Sequence, residues 1–312
     1  MKVAITGATG FVGRHVMTRV VAEGYDPVPI VRSPAGLANE IVVGDLGSSR
    51  IAPEALRNAQ CLIHLAARTH VMDEADPSAD AYHRANVLGT RAVLDAAIEA
   101  GVRRIVFMSS IKAIGDDTRP GEQLSAESTP RPTDAYGRSK LEAENELRQR
   151  CSAAGIEWVI IRPPLVYGAG AKGNFERLIA LIARHIPLPL ASVRNRRSMI
   201  YVANLASATV RACDAPGAAN RVLVIADTTL SMPDLLRIVG TALERPARLF
   251  PFPPALLRIA GRLSGKSAIV ERLTNSLEVN SEDSFHALDW RPPITPGKAL
   301  RETVASYRED GL

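Results

Sequence analysis

Aromatic residues are scarce in this chain, and cysteine is scarcer. Phe, Trp and Tyr together make up 4% of 312 residues, so there is no platform on which the bases of a nucleic acid would stack. The net charge of +5 comes from Lys and Arg spread along the chain, and the expected partners are small anionic molecules rather than nucleic acid. The three cysteines, Cys61, Cys151 and Cys213, stand singly in apolar surroundings, which argues against a disulfide framework and against a metal cluster; buried thiols are expected. No apolar run approaches the roughly 20 residues of a membrane span. With Met1-Lys2 leading directly into a strand-like segment, a cytoplasmic protein without membrane insertion is expected.

What the chain does have is alternation. Short β-branched runs at residues 3–6, 28–31, 41–43, 61–66, 105–109, 158–161 and 222–225 read as strands. They are continuously apolar instead of alternating, as in a parallel sheet covered on both faces by helices. Between them, Val12, Val16, Val20 and Val21 mark a helical face that stops at Gly24, and helical patterns over 81–100 and 134–154 stop at Gly101 and Gly155, each glycine suited to a left-handed C′ position. The fold class is α/β, a doubly wound parallel sheet. Pro29 is awkward, since it removes a ladder donor from an interior strand. After residue 165 the alternation fades and prolines become frequent, with helices still legible, for instance from Ser231 and from Thr295, and one opened by Lys172-Gly173-Asn174.

The first strand runs into I-T-G-A-T-G-F-V-G. Gly7 is placed to make the sharp turn, Gly10 to admit a pyrophosphate to the backbone, and Gly13 to let the helix pack closely, while the amides of Phe11 and Val12 and the helix dipole attract phosphate. A dinucleotide fits. Further on, Y-G-R-S-K puts Tyr136 and Lys140 four residues apart in a helix, so both project from one face. A phenol titrates near 10, and an adjacent ammonium would favour the phenolate and bring it toward neutral pH.

The G-x-x-G-x-x-G spacing resembles the extended, sugar-nucleotide branch of the short-chain dehydrogenase/reductase superfamily, the NAD-dependent epimerase/dehydratase type, and the resemblance runs through the whole chain. It implies a Rossmann-type domain over 1–168, to which 200–228 return, and a smaller irregular region over 169–312 that binds a sugar nucleotide. It also implies cofactor contacts from Asp45 and Leu46 of G-D-L, from Leu65, Ala66 and Ala67 of H-L-A-A, from Asn86, and from Pro163 and Val166 of R-P-P-L-V-Y-G. Ser110 of F-M-S-S-I-K would bond the substrate oxygen beside Tyr136 and Lys140, with Ser109 the less favoured choice. Lys112, Asn174 and Arg197 are implied on the substrate, Asn174 and Arg197 at its phosphates; Arg194 and Arg196 are left without an assigned role. A homodimer through helices 81–100 and 134–154 is implied as well.

The second strand ends V-P-I-V-R-S-P, offering Arg32 and Ser33 and no carboxylate for ribose hydroxyls. Arg32 would pair with a 2′-phosphate, so NADP(H) is expected over NAD(H). Ile111-Lys112 occupies the place of a dehydratase's Asp-Glu pair, and S-S-I-K-A-I-G lacks the Thr and Tyr of the usual 4-epimerase motif. The chain is similar instead to bacterial reductases of UDP-4-keto-6-deoxy-N-acetylhexosamines that serve surface polysaccharide synthesis. An NAD-dependent UDP-hexose 4-epimerase is the alternative, and a dinucleotide sensor without chemistry is a third reading that retention of Ser110, Tyr136 and Lys140 disfavours.

Overall fold

A computed structural model of the protein describes residues 1–69, 79–171 and 174–309. In chain order the regular elements are β1 (Lys2–Thr6), α1 (Phe11–Ala22), β2 (Asp26–Val31), β3 (Ile41–Val42), β4 (Cys61–His64), α2 (Ala79–Tyr82), a π-helical segment (His83–Leu88), α3 (Gly89–Glu99), β5 (Arg104–Met108), α4 (Ala135–Ala154), β6 (Glu157–Arg162), β7 (Leu165–Tyr167), α5 (Asn174–Ala183), β8 (Arg197–Tyr201), α6 (Val202–Arg211), β9 (Arg221–Val224), β10 (Thr228–Leu230), α7 (Met232–Ala242), α8 (Pro254–Leu263), α9 (Ser267–Thr274), α10 (Glu282–Leu288) and α11 (Pro296–Glu309).

The seven apolar runs form one sheet of order β3-β2-β1-β4-β5-β6-β9, parallel at every pairing. The period of two decides how it is covered. Val3 and Ile5 share a buried cluster with Val16 and Val20 of α1 and Leu205 of α6, whereas Ala4 between them joins Val93 of α3 and Leu147 of α4 on the other face. Strand order reverses between β1 and β4, which places a crevice at the carboxyl ends of those strands. All three cysteines are buried thiols, and no helix among the described residues is long and apolar enough to cross a membrane.

Pro29 is accommodated by the shortness of β3. The Asp26 amide donates to Met1 O and the Val31 carbonyl accepts from Val43 N. Alternation along β2 therefore turns the nitrogens of Pro27 and Pro29 away from β1, toward a side where β3 reaches only Ile30 and Val31.

Two features depart from the sequence expectation. The helix over 81–100 is interrupted by the π-helical segment at His83–Leu88, whose five-residue bonding has no apolar spacing in sequence to set it apart from an ordinary helix. A second sheet of order β10-β8-β7 joins the end of the 1–168 span, through β7, to the C-terminal region, with a core of its own that gathers Tyr167, Ile179, Leu236 and Leu300; of residues 200–228 only β9 pairs in the main sheet.

Candidate active site

The site is built where β1, β4, β5 and β6 end. Gly7 turns the chain at φ +72°, and a Cβ there would lie 2.7 Å from Ala66 N. At Gly13 a Cβ would lie 2.0 Å from Gly7 O and 2.8 Å from Ala8 O, so its bareness seats α1 against the turn rather than against the sheet at large. Gly10 caps the helix, its amide bonding Gly7 O at 3.0 Å. The amides of Phe11, Val12 and Gly13 follow in the first turn, where no carbonyl of the helix can reach them, and that turn carries no acidic residue.

Beneath this loop runs a hydrogen-bonded chain whose proton order is determined. Thr90 Oγ1 donates to Asn86 O at 2.6 Å, so it must accept from His64 Nε2 at 3.1 Å. His64 Nδ1 is then the acceptor for Thr6 Oγ1 at 2.6 Å, and Thr6 accepts from the Ala66 amide at 3.3 Å. Neutral imidazole is required, and burial, followed by the charge of Lys140, pushes the His64 pKa down to about 3. An unfolded chain binds a proton at this residue below about pH 6.5; the folded one excludes it until about 3. Folding stability contributed by His64 is complete above 6.5 and falls as pH drops, by about 1.4 kcal/mol per pH unit. Urea unfolding between pH 6.5 and 5 should show this slope in the wild type and its reduction by one proton in His64→Gln; equal slopes would remove His64 from the account.

Leu65, Ala66 and Ala67 lie beside the turn, the Leu65 amide bonding Thr6 O at 3.2 Å. Asn86 sits in the π-helical segment and ties the next stretch down: Oδ1 accepts from Arg68 N at 2.8 Å, while Nδ2 donates to Arg68 O at 3.1 Å and to Ser139 Oγ at 2.9 Å. It acts as a clamp between the β4 loop and α4. Asp45 Oδ1 accepts from Gly47 N at 2.9 Å, shaping the turn in which Leu46 packs at 3.4 Å from the Cβ position of Gly89. Arg32 is exposed just beyond β2.

The two serines that end β5 part company. Ser109 is buried and donates to Glu144 Oε1 at 2.5 Å, whereas Ser110 caps a short 3₁₀ turn and sets its hydroxyl beside the Tyr136 phenol, whose pKa it lowers. That encounter depends on Gly137, where a Cβ would lie 2.4 Å from Lys112 O; the glycine lets the turn after β5 rest on the first turn of α4. Pro163 closes the same corner, its carbonyl accepting from Ile111 N at 3.0 Å. Val166 lies on β7, in register with Ile200.

The electrostatics of Tyr136 differ from the sequence expectation. Burial pushes its pKa up to about 12, against a lowering by the Ser110 hydrogen bond. Lys140 is buried with its ammonium 4.1 Å from the centre of the Phe107 ring, and burial lowers its pKa to about 7, opposed by Glu144. The cation faces an aromatic ring, and desolvation governs both groups. Tyr136 is therefore a protonated acid at neutral pH.

Substrate candidates are dispersed. The Lys112 ammonium is held by Asp134 at 2.5 Å and Asp116 at 3.1 Å. Lys172, Gly173 and the side chain of Asn174 lie outside the described residues. Arg197 donates to Asn275 O at 3.2 Å; burial lowers its pKa, Asp116 raises it and Arg272 lowers it. Asn275 also lines a cavity of about 520 Å³ with Arg194, Pro254 and Arg258. Arg196 turns away to Glu278 at 2.8 Å.

Several contributors escaped sequence reading. Tyr82 is buried with its ring 5.9 Å from that of Tyr136, Arg272 doubles the charge near Arg197, and Phe107 supports Lys140. Tyr82 and Arg272 stand in no motif, and Phe107 opens F-M-S-S-I-K without any sign in sequence that its ring meets Lys140.

The donor set fits a dinucleotide: bare backbone at Gly7, Gly10 and Gly13, first-turn amides without acidic competition, and a cation with no carboxylate after β2. Residues 3–226 match the model of the NAD dependent epimerase/dehydratase family. The UDP-glucose 4-epimerase of Vibrio cholerae is 36% identical over 312 residues, covering 98% of this chain and 95% of that protein. The ceramide reductase of Caulobacter vibrioides is 28% identical over 306 residues, 94% of this chain and 87% of its own length. Among solved structures, MoeE5 in complex with UDP-glucuronic acid and NAD superposes with a TM-score of 0.80 at 23% identity, over 99% of this chain and 100% of that one, a likeness of fold. On the extent of the family match and the architecture together, this chain belongs to the NAD dependent epimerase/dehydratase family.

Proposed function

We propose that the chain reduces the 4-keto group of a UDP-4-keto-6-deoxy-N-acetylhexosamine, giving a quinovosamine- or fucosamine-type sugar nucleotide. The observation that carries this reading is the placement of the Ser110 hydroxyl beside the buried Tyr136 phenol, which burial keeps protonated, its pKa about 12. Tyr136 is an acid ready to give its Oη proton to a forming alkoxide, and the Ser110 hydroxyl supplies a second donor to the same oxygen. NADPH supplies the hydride when bound. Gly7, Gly10, Phe11, Val12, Gly13, Asp45, Leu46, Leu65, Ala66, Ala67, Pro163 and Val166 would border it. In this reading Lys140 orients the cofactor side of the site, Asn86 works through the clamp it forms, and residues 169–312 provide the sugar-nucleotide pocket. Arg197 and Arg272 would grip the diphosphate; the half-buried Arg197 has a backbone carbonyl as its described partner and has charge to offer a phosphate.

The decisive assay follows NADPH oxidation on addition of UDP-4-keto-6-deoxy-N-acetylglucosamine. One NADPH consumed per sugar supports the reductase. Interconversion of UDP-glucose and UDP-galactose without net NADPH consumption would replace it with a 4-epimerase, a reading favoured by the 36% identity to a UDP-glucose 4-epimerase.

Cofactor choice rests on Arg32. A charge-assisted contact to a 2′-phosphate contributes about 1.5–3 kcal/mol, so Arg32→Ala should weaken NADPH binding roughly 10- to 100-fold and leave NADH unchanged. Fluorescence titration with both cofactors reads this; NADH binding as tightly as NADPH in the wild type rejects the role. A homodimer through α3 and α4 is part of the same proposal, and a monomer in sedimentation equilibrium would remove it.

A further inference from the structure

Large apolar side chains exposed to solvent are unevenly distributed. Of nine among the described residues, five fall in one short stretch: Phe250, Leu256, Ile259, Leu263 and Ile269, at 41%, 49%, 50%, 86% and 43% exposure. The middle three are spaced i, i+3 and i+7 on α8, so they share one face. That face is not the one α8 uses for packing. Gly261 is buried, with Val270 Cγ2 of α9 2.7 Å from its Cβ position, and Leu257 packs on the core of the second sheet. Helical geometry puts Leu257 and Gly261 roughly opposite Leu256, Ile259 and Leu263. The helix is thus apolar on two sides, one inward and one toward solvent.

Charge is concentrated in the same place. Residues 245–270 contain Arg245, Arg248, Arg258, Arg262 and Lys266 and no Asp or Glu, a segment charge of +5 that equals the net charge of the whole chain. Arg258 and Arg262 are exposed at i and i+4 along one flank of the apolar face, and Lys266 is exposed in the turn to α9. A second copy of the chain laid on this surface about a two-fold axis would set these cations against themselves. An anionic bilayer satisfies both halves of the pattern, taking the apolar side chains at the boundary between headgroups and acyl chains and the cations at the headgroups.

We propose that α8 and its turn into α9 dock the protein on an anionic lipid surface, lying in the interface without spanning it. Pro254 and Arg258 of the docking helix also line the cavity that includes Asn275, so the membrane side and the candidate substrate side of the region adjoin. Docking is read without substrate or cofactor, so its failure and the failure of the reductase reading are separate results.

The test is flotation of the full chain with vesicles of phosphatidylcholine, alone or with about 30 mol% phosphatidylglycerol, at about 0.05 and 0.5 M NaCl. Expected is at least about tenfold more protein floating with the anionic vesicles at low salt, and loss of most of it at high salt. A variant combining Leu256→Gln, Ile259→Gln and Leu263→Gln should lose about tenfold of this binding while keeping the wild-type melting temperature and turnover. Arg262→Glu with Lys266→Glu should lose as much without touching the apolar face. Wild-type protein that stays at the bottom of the gradient with both vesicles overturns the proposal, as does undiminished flotation of both variants. A dimer that the triple glutamine variant converts to monomer, with no flotation by either, overturns it in favour of an interface between copies.

Discussion

Replacing Tyr136 by phenylalanine is expected to lower turnover by about 10²- to 10⁴-fold, the usual contribution of a positioned general acid, while NADPH affinity stays within about twofold. The ring survives the change, so its contact with Tyr82 at 5.9 Å persists, and the lost atom is the hydroxyl that meets Ser110. A fall in kcat with KM nearly unchanged is the signature of a group used in the transition state. Ser110→Ala removes the second donor and should lower turnover by about 10²- to 10³-fold. The double variant should be little worse than Tyr136→Phe alone, because both hydroxyls serve one oxygen. Rapid-mixing measurement of NADPH oxidation with the keto sugar checks all three; Tyr136→Phe within about threefold of wild type would take the phenol out of the chemistry.

The largest effect on stability is expected at Glu144. This carboxylate is 0% exposed, four residues beyond Lys140, and receives Arg162 Nε at 2.9 Å, Arg162 Nη2 at 2.6 Å and Ser109 Oγ at 2.5 Å. Arg162 is 2% exposed at the end of β6. Glu144→Gln leaves that guanidinium buried without its counter-charge, and breaking such a pair costs about 3–5 kcal/mol. Set against a typical total of about 5–15 kcal/mol, the urea midpoint should fall by a large fraction. Replacing both partners, Glu144→Leu with Arg162→Met, should be less damaging than the single changes predict by addition, since neither member of the pair is left buried without the other. A Glu144→Gln unfolding free energy within about 0.5 kcal/mol of wild type would show that the pair holds nothing together. Ser109 and Ser110 are neighbours, so loosening Glu144 should also lower turnover with the Tyr136 hydroxyl intact.

Much of this was legible in the sequence because it is local. Three glycines at a spacing of three, or Tyr and Lys at a spacing of four, keep their meaning wherever the chain goes. The seven main strands were legible because burial on both faces leaves an uninterrupted β-branched run. What escaped depends on contacts distant in sequence. β7 and β10 are three residues each, too short to show a period. β8 reads R-S-M-I-Y and signals its arginine more strongly than its strand. The π-helical segment at His83–Leu88 shares the apolar spacing of an ordinary helix. Lys140 was expected to act on its neighbour in the helix, but the Phe107 ring that holds its ammonium comes from β5. Tyr82 and Arg272 announce nothing in sequence. The outward face of α8 is the reverse case: L-L-R-I-A-G-R-L resembles a core helix, and only the fold shows that Leu256, Ile259 and Leu263 stand exposed.

The shortness of β3 has a consequence for the protein in a crowded solution. Beyond its two residues no strand pairs with the outer side of β2, where an extended peptide would ordinarily find a row of amide donors. At Pro27 and Pro29 those donors do not exist. Pro27, the half-buried one of the two, thereby guards the rim against edge-to-edge aggregation, and replacing it with valine should make the protein less soluble before it makes it less stable.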